Sequence, residues 1–468
     1  MTRPDAQPTN PILRLAGELF AERRRGAGPH GALRFDLRRS RQLARDPLSV
    51  LMPLYKEYGP VFSIRVLHAI EIFMIGPAAN HLITVSRRDN FLWREGSMGE
   101  LIPLLGDGLL TTDGEYHDRA REILMPAFHG ERISAALGAI EAETARAISG
   151  WRDGEVIDIY EWSRATSIRI AMRALIGLDP DDRGAGAKAA RHFERALRYY
   201  GTDFHVRLLR GPGTPWSRTQ SSRRALEEII RWKIAERRAG EQVALEEQPG
   251  DVLSLLTAAE SPSGTRLSEQ EVSDQAITLL FASHDTMTSA LSMMFYELAR
   301  NPGELDAVNE EIAAADSEPT RRRAEPLPRL LRCLDETLRL YPPAWVGPRR
   351  SIHAFEFEGV TVPAHSSVNY SSLLTQRLPE VFPDPARFDS DRFLPEARAA
   401  LPPGAYVPFG AGPRICLGKR FALAEAQAVV ATVLRRFRPQ LIDGRPLSLH
   451  PMPTLGPEGG LKLRVNAR

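Results

Sequence analysis

Cysteine is scarce in this sequence, with Cys333 and Cys416 as the two such residues among 468. Two cysteines far apart exclude a disulfide framework, which fits a reducing compartment, and they are too few to build a zinc site. A run of about 20 mostly apolar residues is also missing, so we predict neither a signal peptide nor an integral membrane segment. These absences favour a cytoplasmic protein.

A large charge of either sign is missing as well. The net charge is +2, so the composition gives no bulk attraction to nucleic acid, and no nucleic-acid partner is predicted. No internal repeat and no low-complexity linker divides the chain. It also has no glycine-rich turn between a strand and a helix, which is the fingerprint of flavin- and dinucleotide-binding domains. Any electrons that the protein uses must therefore come from separate proteins.

A glycine-rich loop surrounds one of the two cysteines. Residues 409–418 read FGAGPRICLG, and three glycines and a proline exclude regular structure up to Cys416. An apolar pattern with helical spacing follows from Lys419 to Phe437. The start of a helix favours a thiolate through its dipole and its free N–H groups, and Arg414 and Lys419 add positive charge nearby.

Three interpretations of such a cysteine compete. It can be a buried structural thiol, as we expect for Cys333, or a nucleophile, although no obvious His–Asn set accompanies it. It can also be the one soft ligand of an iron that takes its other ligands from a macrocycle. The pattern Phe-x-x-Gly-x-Arg-x-Cys-x-Gly resembles the haem-binding signature of the cytochrome P450 family, and residues 409–418 meet it without a mismatch.

This resemblance spans roughly residue 50 to the C-terminus and is closest to the soluble bacterial type. It implies a mainly α fold with small β-sheets, in which a long central helix crosses the haem. It implies a single domain over residues 1–468, with residues 1–45 as an N-terminal extension that has no membrane anchor. The implied cofactor is haem b (iron protoporphyrin IX), with Cys416 as the proximal iron ligand. The other loop residues implied to contact haem are Phe409, Gly410, Arg414 and Gly418.

The long helix is marked by a capping box, Ser268-x-x-Glu271, and is predicted to end at Arg300, before Asn-Pro-Gly. The middle of this helix contains a polar cluster, residues 282–288. Burying polar side chains is costly unless they have partners, and hydrogen bonds to the carbonyl oxygens of the same helix are the simplest explanation. The cluster resembles the family's Ala/Gly-Gly-x-Asp/Glu-Thr-Thr. It matches at Ala282, Asp285 and Thr286 and departs at Ser283 and Met287.

The resemblance implies that Thr286, supported by Asp285, relays protons to bound oxygen. Ala282 would lie beside the haem. His284 stands at the variable position and is predicted to be a solvent or salt-link residue rather than a ligand.

Basic residues elsewhere are candidates for the haem propionates. His117 and Arg121 are four residues apart and share a helix face, which could equally be an exposed polar face. The resemblance implies that both bind propionates, together with Arg414 and Arg349. Arg350 is the alternative to Arg349.

Two further groups of residues are implied by the resemblance. A pocket for a lipophilic substrate would be lined by Leu101, Leu104, Leu105, Phe281, Trp345 and Val346, where residues 101–106 form either a loop over the pocket or a loop packed in the core. A network of Glu336, Arg339 and Arg392 would brace the cysteine loop, although Ser390 replaces the usual proline of the second motif.

The resulting expectation is a monomeric haem-thiolate monooxygenase of secondary metabolism. It would activate dioxygen with electrons from NAD(P)H, delivered by a ferredoxin or flavodoxin and its reductase. It would hydroxylate or epoxidise a lipophilic small molecule such as a terpenoid, fatty acid, sterol or polyketide. The alternatives are a peroxygenase or isomerase that needs no electron donor, and a non-enzymatic haem-binding protein.

Cationic residues near the thiol are predicted to attract the electron donor. Lys419 and Arg420 begin the helix after Cys416, and Arg119 should lie nearby. Arg435, Arg436 and Arg438 stand at the far end of that helix. Such a face would steer an acidic partner, or it would simply be a solvated surface.

Overall fold

A computed structural model describes residues 28–128, 130–202, 204–207, 209–239, 251–259, 264, 266–317, 325–442 and 447–468. Most of the predicted N-terminal extension, residues 1–27, therefore lies outside the described residues. The helices are α1 (Leu37–Leu43), α2 (Pro47–Tyr58), α3 (Pro77–His81), α4 (Ile102–Leu105), α5 (Gly114–Leu124), α6 (Gly130–Ala147), α7 (Ile159–Ala171), α8 (Ala185–Tyr200), α9 (Phe204–Arg207), α10 (Pro215–Ala239), α11 (Val252–Ala258), α12 (Glu269–Arg300), α13 (Pro302–Asp316), α14 (Pro328–Leu340), α15 (Ser372–Thr375), α16 (Pro395–Ala400) and α17 (Lys419–Leu434).

Within the described residues, the strands form four small sheets. They are β1 (Gly31–Ala32), β2 (Val61–Val66), β3 (Ala69–Met74), β4 (Phe91–Leu92), β5 (Glu155–Asp158), β6 (Gly347–Ser351), β7 (Phe355–Phe357), β8 (Val360–Val362), β9 (Ser367–Tyr370), β10 (Phe437–Leu441), β11 (Leu449–His450), β12 (Gly456–Pro457) and β13 (Lys462–Ala467). The largest has the order β1-β2-β3-β9-β6-β4, and β10-β13-β5 form a second sheet. The pairs β11-β12 and β7-β8 complete the set.

The largest sheet is built on the hairpin of β2 and β3, which pair antiparallel from Val61↔Met74 to Val66↔Ala69. Strand β9 joins β3 in parallel, and β6 joins β9 antiparallel. Strand β1 pairs in parallel with β2, so the end of the predicted N-terminal extension belongs to this sheet. The sheet places Arg349, on β6, next to the core.

Helix α12 forms the centre of the fold. Its capping box is complete, because Ser268 Oγ accepts from the Glu271 N–H (3.3 Å) and Glu271 Oε2 accepts from the Ser268 N–H (2.8 Å). Asn301 caps its C-terminus, as the sequence predicts. Almost every side chain from Val272 to Leu298 is buried. Burial around most of its circumference is typical of a helix that crosses the interior of a large domain.

Two apolar clusters meet along α12. Its C-terminal half packs with α7, α14 and α17, and its N-terminal half packs with α8, α10 and α11. The predicted fold class, mainly α with small β-sheets around a long central helix, is confirmed. Within the described part of the chain, no helix combines the length and apolarity needed to cross a membrane.

Candidate active site

The cysteine loop is held mainly by its own backbone. The Cys416 N–H donates to the Phe409 carbonyl oxygen over 2.8 Å. Gly410 and Gly412 have φ angles of +68° and +65°, in the left-handed region that favours glycine. At Gly412 a Cβ would lie 2.1 Å from the Thr84 carbonyl oxygen. The glycines of the motif therefore determine the path that brings Cys416 to the start of α17.

The surroundings of the Cys416 thiol combine exposure to solvent with crowding by protein atoms. Burial raises the pKa of Cys416, whereas the Gly418 N–H and the charges of Arg121 and Lys419 lower it without outweighing burial. The helix start and the nearby positive charges thus lower the pKa of Cys416 as the sequence predicts, but they do not offset the effect of burial. A coordinated metal ion would complete the deprotonation, because it displaces the thiol proton outright.

The second cysteine has a different environment. Cys333 is fully buried in the apolar cluster of α12, α14 and α17. Burial raises its pKa far above the ordinary value, and the Glu304 carboxylate 3.5 Å away adds to this effect. These surroundings are those of a structural thiol.

Four basic side chains converge near Cys416, and we call them the basic cluster: His117, Arg121, Arg349 and Arg414. Their charges act on one another, since Arg414 lowers the pKa of His117, and Arg349 and Arg121 lower that of Arg414. The charge of Arg121 also acts on Cys416. The structure thus brings together residues that lie as much as 297 positions apart, from β6, α5 and the cysteine loop.

The basic cluster is short of negative charge. Arg414 pairs with Asp113 over 2.7 Å, and His117 lies 2.9 Å from Asp118. Burial is the largest influence on all four groups and lowers each pKa, that of Arg414 to about 10. Because burial disfavours their charged forms, an anionic ligand at this position would relieve the cost. The cluster is suited to binding carboxylates.

Trp93 links two members of the basic cluster, and the sequence reasoning missed it. The Cζ atoms of Arg349 and Arg414 lie 3.7 and 5.2 Å from the centre of its ring. Its indole Nε1 is buried without a hydrogen-bond partner among the described residues. Asp113 was missed as well, although it accepts from the Trp93 and Arg94 N–H groups and from Arg414. Neither residue carries a periodic or motif signal in the sequence.

The structure separates Arg349 from its alternative. Arg349 is 3% exposed and donates to the Pro348 carbonyl oxygen. Arg350 is directed toward the surface, where it donates to the carbonyl oxygens of Glu95 and His365. The geometry therefore favours Arg349 as the member of the basic cluster.

One face of α12 is partly exposed in the middle of an otherwise buried helix. Its residues follow helical spacing and are Leu279, Ala282, Ser283 and Thr286. Leu279 and Phe281 pack against the same apolar cluster as Leu417 and Phe421, which flank the cysteine loop. The exposed face and the thiol thus border one apolar region.

The hydroxyl of Thr286 is bonded within its own helix. Thr286 Oγ1 donates to the Ala282 carbonyl oxygen over 2.6 Å. Asp285 points elsewhere and is 3% exposed, with Oδ1 lying 3.3 Å from Arg164 Nη1 and 3.1 Å from His284 Nδ1. Burial alone would raise the pKa of Asp285, but the charges and contacts of His284 and Arg164 outweigh it and lower the pKa. Asp285 is therefore ionised in this environment.

The two departures from the family pattern have different consequences. Helix α12 is an uninterrupted α-helix from Glu269 to Arg300, so Ser283 stands in regular helix rather than in a bulge. Met287 is 4% exposed and packs into the apolar cluster of α7, α14 and α17. The Met287 side chain therefore packs in the core, and Ser283 and Thr286 lie on the partly exposed face.

The predicted network connects α14 to the cysteine loop. Arg339 Nε lies 2.7 Å from Glu336 Oε2, and Arg392 Nε lies 3.4 Å from Glu336 Oε1. Arg339 also donates to the Gln376 carbonyl oxygen, and the Gln376 side chain accepts from the Val407 N–H at the beginning of the loop. Glu336 and Arg339 are fully buried, so loss of either partner would strand a charge.

Ser390 has a clear role in the place of the usual proline. Its hydroxyl donates to the Glu304 carboxylate over 3.0 Å. Glu304 also pairs with Arg329 over 2.7 Å. This link fixes the segment before Arg392 to α13.

The predicted pocket residues divide into two groups. Leu101, Leu104, Leu105 and Phe281 belong to or pack against the cluster around the N-terminal half of α12. The predicted loop is wrong in form, because residues 97–101 make a turn of 3₁₀-helix and α4 follows directly. Leu104 and Leu105 are fully buried, which favours the core-packing interpretation for them.

Trp345 and Val346 lie in another cluster, next to the largest sheet. The Trp345 indole N–H donates to the Pro451 carbonyl oxygen over 2.9 Å. Hydrophobic packing thus accounts for both groups of predicted pocket residues.

Comparison with known proteins decides the family. The family described as "Cytochrome P450" matches residues 36–463 of this chain. The chain belongs to the cytochrome P450 family. Membership identifies it as a haem-dependent monooxygenase, and the predicted fold and activity are confirmed at this level.

Bacterial P450 proteins are among those similar to this chain. The chain is 35% identical over 351 residues to cyclooctat-9-en-7-ol 5-monooxygenase of Streptomyces melanosporofaciens, covering 74% of this chain and 75% of the relative. It is 31% identical over 375 residues to pentalenene oxygenase of Streptomyces avermitilis, covering 78% and 81%. Among solved structures, retinoic acid-bound cyanobacterial CYP120A1 superposes with a TM-score of 0.79 at 26% identity, covering 95% of this chain and 100% of that one.

The residues around Cys416 fit the haem of a P450 protein. A soft thiol ligand is accessible to solvent, and a basic cluster short of counter-charge lies beside it. The unpartnered Trp93 N–H offers one more donor to an anionic group. An apolar, partly exposed helix face borders the same region. The thiol would bind the iron, the basic cluster and Trp93 would bind the propionates, and the helix face would contact the flat macrocycle.

Proposed function

We propose that this P450 oxidises a lipophilic, terpenoid-sized molecule, using dioxygen and electrons from separate redox proteins. The observation that carries the proposal is the Cys416 thiol beside the basic cluster, with its neighbour Leu417 packed against the same apolar cluster as Leu279 and Phe281 of α12. A thiolate-ligated haem supplies the activation of oxygen when it is bound. The chain's own residues bind the cofactor, exclude water and hold protons.

Cys416 would be the proximal iron ligand. The basic cluster would hold the propionates, with Trp93 as a further donor. Its partial burial would make each contact stronger than one in bulk water. Phe409, Gly410, Gly418 and Ala282 would contact the cofactor through the loop and the helix face.

Thr286 and Asp285 would transfer protons on the side of the cofactor opposite Cys416. The Thr286 hydroxyl is held by the Ala282 carbonyl oxygen and faces the partly exposed side of α12, where it can accept a proton from one partner and donate one to another. Asp285 is adjacent in sequence and ionised, so it would first accept a proton from solvent and then pass that proton to Thr286.

The substrate class is inferred from apolar surfaces and from relatives. Leu101, Phe281 and Val346 are partly exposed hydrophobic residues on the elements expected to border the pocket. The similar Streptomyces proteins are named for cyclooctat-9-en-7-ol and pentalenene, which favours a terpenoid over the fatty acid, sterol and polyketide alternatives. Such a molecule needs a predominantly hydrophobic site.

The electron donor is proposed to be an acidic ferredoxin or flavodoxin with an NAD(P)H-dependent reductase. The described surface near the thiol carries Lys419, whose ammonium lies 5.6 Å from the centre of the Phe409 ring, and exposed Arg420. Arg119 does not join them, because it pairs with Glu271 over 2.7 Å. At the far end of α17, Arg435 and Arg438 pair with Asp316 and Asp306. The docking surface is therefore smaller than the sequence predicts.

Substrate binding can be tested by optical titration of the haem-loaded protein with a library of lipophilic compounds that includes pentalenene and cyclooctat-9-en-7-ol. We expect terpenoids to shift the Soret band, with fatty acids and sterols giving weaker shifts. Preferential shifts with another class would overturn the terpenoid assignment.

Proton delivery can be tested with Thr286→Ala. We expect the variant to bind haem normally but to divert electrons to hydrogen peroxide, with product per electron falling by about 100-fold, the lower end of the usual range for a lost acid–base group. Peroxide and product are measured against NAD(P)H consumed, and Thr288→Ala, two residues away and buried, is the control. Unchanged coupling in Thr286→Ala would remove Thr286 from the mechanism. Product formed from peroxide alone, at the same rate, would support a peroxygenase instead.

A further inference from the structure

Asp285 belongs to a closed ring of four acidic and basic side chains. Arg164 on α7 lies 3.3 Å from Asp285 and, through Nε, 3.3 Å from Glu194 on α8. His284 on α12 lies 3.1 Å from Asp285 and 3.7 Å from Glu194. Two acids and two bases thus alternate around the ring. Three helices that are far apart in the sequence meet at this point.

His284 bridges the two acids of this ring. Its side chain is fully buried, and its ring packs edge-on against Phe193 with centroids 5.7 Å apart. Nδ1 faces the Asp285 carboxylate, while Nε2 lies 3.2 Å from the Arg164 carbonyl oxygen and close to Glu194. Both ring nitrogens therefore lie near oxygen atoms, but only Nε2 makes a hydrogen bond, to the Arg164 carbonyl oxygen. Nδ1 approaches Asp285 at ion-pair distance without hydrogen-bond geometry.

The two oxygens of Asp285 are not equivalent. Oδ1 faces both His284 and Arg164. Oδ2 is buried and has no hydrogen-bond partner among the described residues. An unsatisfied carboxylate oxygen in the interior is costly unless it has a use. Since Oδ1 is occupied, Oδ2 is the oxygen on which a proton can be carried.

We propose that His284 is a positioning residue for proton delivery: with Arg164 it fixes Oδ1 of Asp285 and keeps Oδ2 free to pass protons toward Thr286. The proposal rests on the proposed function of Asp285 and Thr286. It assigns a specific task to the position that the family's helix pattern leaves variable. Glu194, partly exposed at the outer edge of the ring, holds both bases in place.

Other groups near the ring do not replace His284. The Tyr160 hydroxyl on α7 lies 3.5 Å from His450 Nε2 on β11. The charge of Asp285 raises the pKa of both groups. Burial raises the pKa of Tyr160 and lowers that of His450, so both are neutral near pH 7. They therefore add no charge to hold Asp285. The counter-charge at Asp285 comes from His284 and Arg164.

The decisive measurement is the protonation of Asp285 in the haem-loaded protein without substrate. Infrared difference spectra across a pH series report the carbonyl stretch of a protonated carboxyl group, and Asp285→Asn identifies the band of Asp285. His284→Leu keeps Asp285 buried but removes one of the groups that lower the pKa of Asp285. We therefore expect the titration midpoint of Asp285 to rise by about 1 to 3 pH units, the usual effect of one nearby opposite charge. His284→Gln keeps a donor without the charge and should give a smaller rise.

A merely structural His284 would leave this titration unchanged, and that result would overturn the proposal. The carbon monoxide spectrum of each variant reports the fraction of correctly folded, thiolate-ligated protein. If His284→Leu folds poorly, the milder His284→Gln still tests the proposal. Phe193→Leu, which alters packing against the same ring without changing charge, is the matched control and should leave the midpoint of Asp285 in place.

A second readout separates this inference from the proposed function. The solvent hydrogen isotope effect on oxygen consumption is measured with a surrogate ferredoxin and reductase. We expect His284→Leu and Asp285→Asn each to change it, and the double variant to match Asp285→Asn alone, because His284 acts through Asp285. An unchanged effect in Asp285→Asn would refute proton delivery by Asp285. A changed effect in Asp285→Asn but not in His284→Leu, with an unshifted titration, would refute only the role of His284.

Discussion

The two sides of the active site are held by different forces. On the thiol side, backbone hydrogen bonds and left-handed glycines fix the path to Cys416. On the opposite side, charged side chains from three helices fix Asp285. The first arrangement needs little beyond a short stretch of sequence. The second exists only when distant parts of the chain have packed together.

Two buried carboxyl groups show the same contrast. Asp285 on α12 is surrounded by bases, and its pKa is lowered although burial opposes this. Glu425 on α17 is 1% exposed, and neither of its oxygens has a partner among the described residues. Burial raises the pKa of Glu425 to about 8. Equal burial therefore gives an ionised acid in one place and a neutral acid in the other, depending on nearby charge.

The largest effect is expected on the thiol side, for Cys416→Ser. Reduced protein with carbon monoxide should lose the far red-shifted Soret band of thiolate-ligated haem completely, because an alcohol cannot replace the soft ligand. Cys333→Ser is the control and should retain the band. The opposite behaviour of the two variants would show that the ligand has been misassigned.

A smaller but still severe effect is expected for Gly412→Ala. The new Cβ would meet the Thr84 carbonyl oxygen at 2.1 Å, and φ is +65°, so the loop must move. We expect a loss of about 2 to 4 kcal/mol in the free energy of unfolding and poor haem incorporation. Chemical denaturation and the haem-to-protein absorbance ratio measure both. Gly303→Ala, where a Cβ meets nothing within 4 Å, should behave like the parent, and equal stability of the two variants would refute rigid control of the loop.

Glu425→Gln tests the contrast between the two carboxyl groups. The pKa of Glu425 is about 8 in the folded protein, above its unfolded value of 4.5, so the folded state holds a proton that the unfolded state has lost. This difference costs stability increasingly as pH rises from 4.5 to 8, by at most about 1.4 kcal/mol per pH unit. The glutamine variant lacks this penalty. Its melting temperature relative to the parent should therefore increase with pH.

The comparison for Glu425→Gln is made at pH 5 and pH 7.5, roughly the two ends of the interval in which the linkage acts. A constant difference between parent and variant would mean that Glu425 has found a partner and ionises normally. Glu425→Ala is not a suitable substitute, because it would also create a cavity.

The smallest effect is expected at the proposed docking surface. Arg420→Glu should slow electron transfer from an acidic ferredoxin by about tenfold at low salt, and by less at high salt, where charges are screened beyond roughly 3 Å at 1 M. Stopped-flow reduction measures the rate. Arg435→Glu, at a position already paired with Asp316, is the control and should have less effect. A rate insensitive to salt and to Arg420→Glu would place the docking site elsewhere.

The sequence determined the parts of this protein that are encoded locally. The motif around Cys416 fixes its own loop because its hydrogen bonds join residues within about ten positions, and glycine alone tolerates the required φ angles. The bounds of α12 were also predictable, because the capping box and the Asn-Pro-Gly stop are adjacent signals. The same holds for the fold class, which follows from the motifs and from helical spacing.

Only the tertiary structure decided which side chains meet. Arg164 lies 121 positions from Asp285, and no spacing rule indicates that their helices touch. Trp93 joins Arg349 and Arg414 through ring contacts that leave no trace in a sequence pattern. His284 was predicted as a solvent or salt-link residue, and packing of α7 and α8 against α12 made it fully buried. Long-range contacts depend on how helices pack, and a single sequence reports the faces of each helix but not their partners.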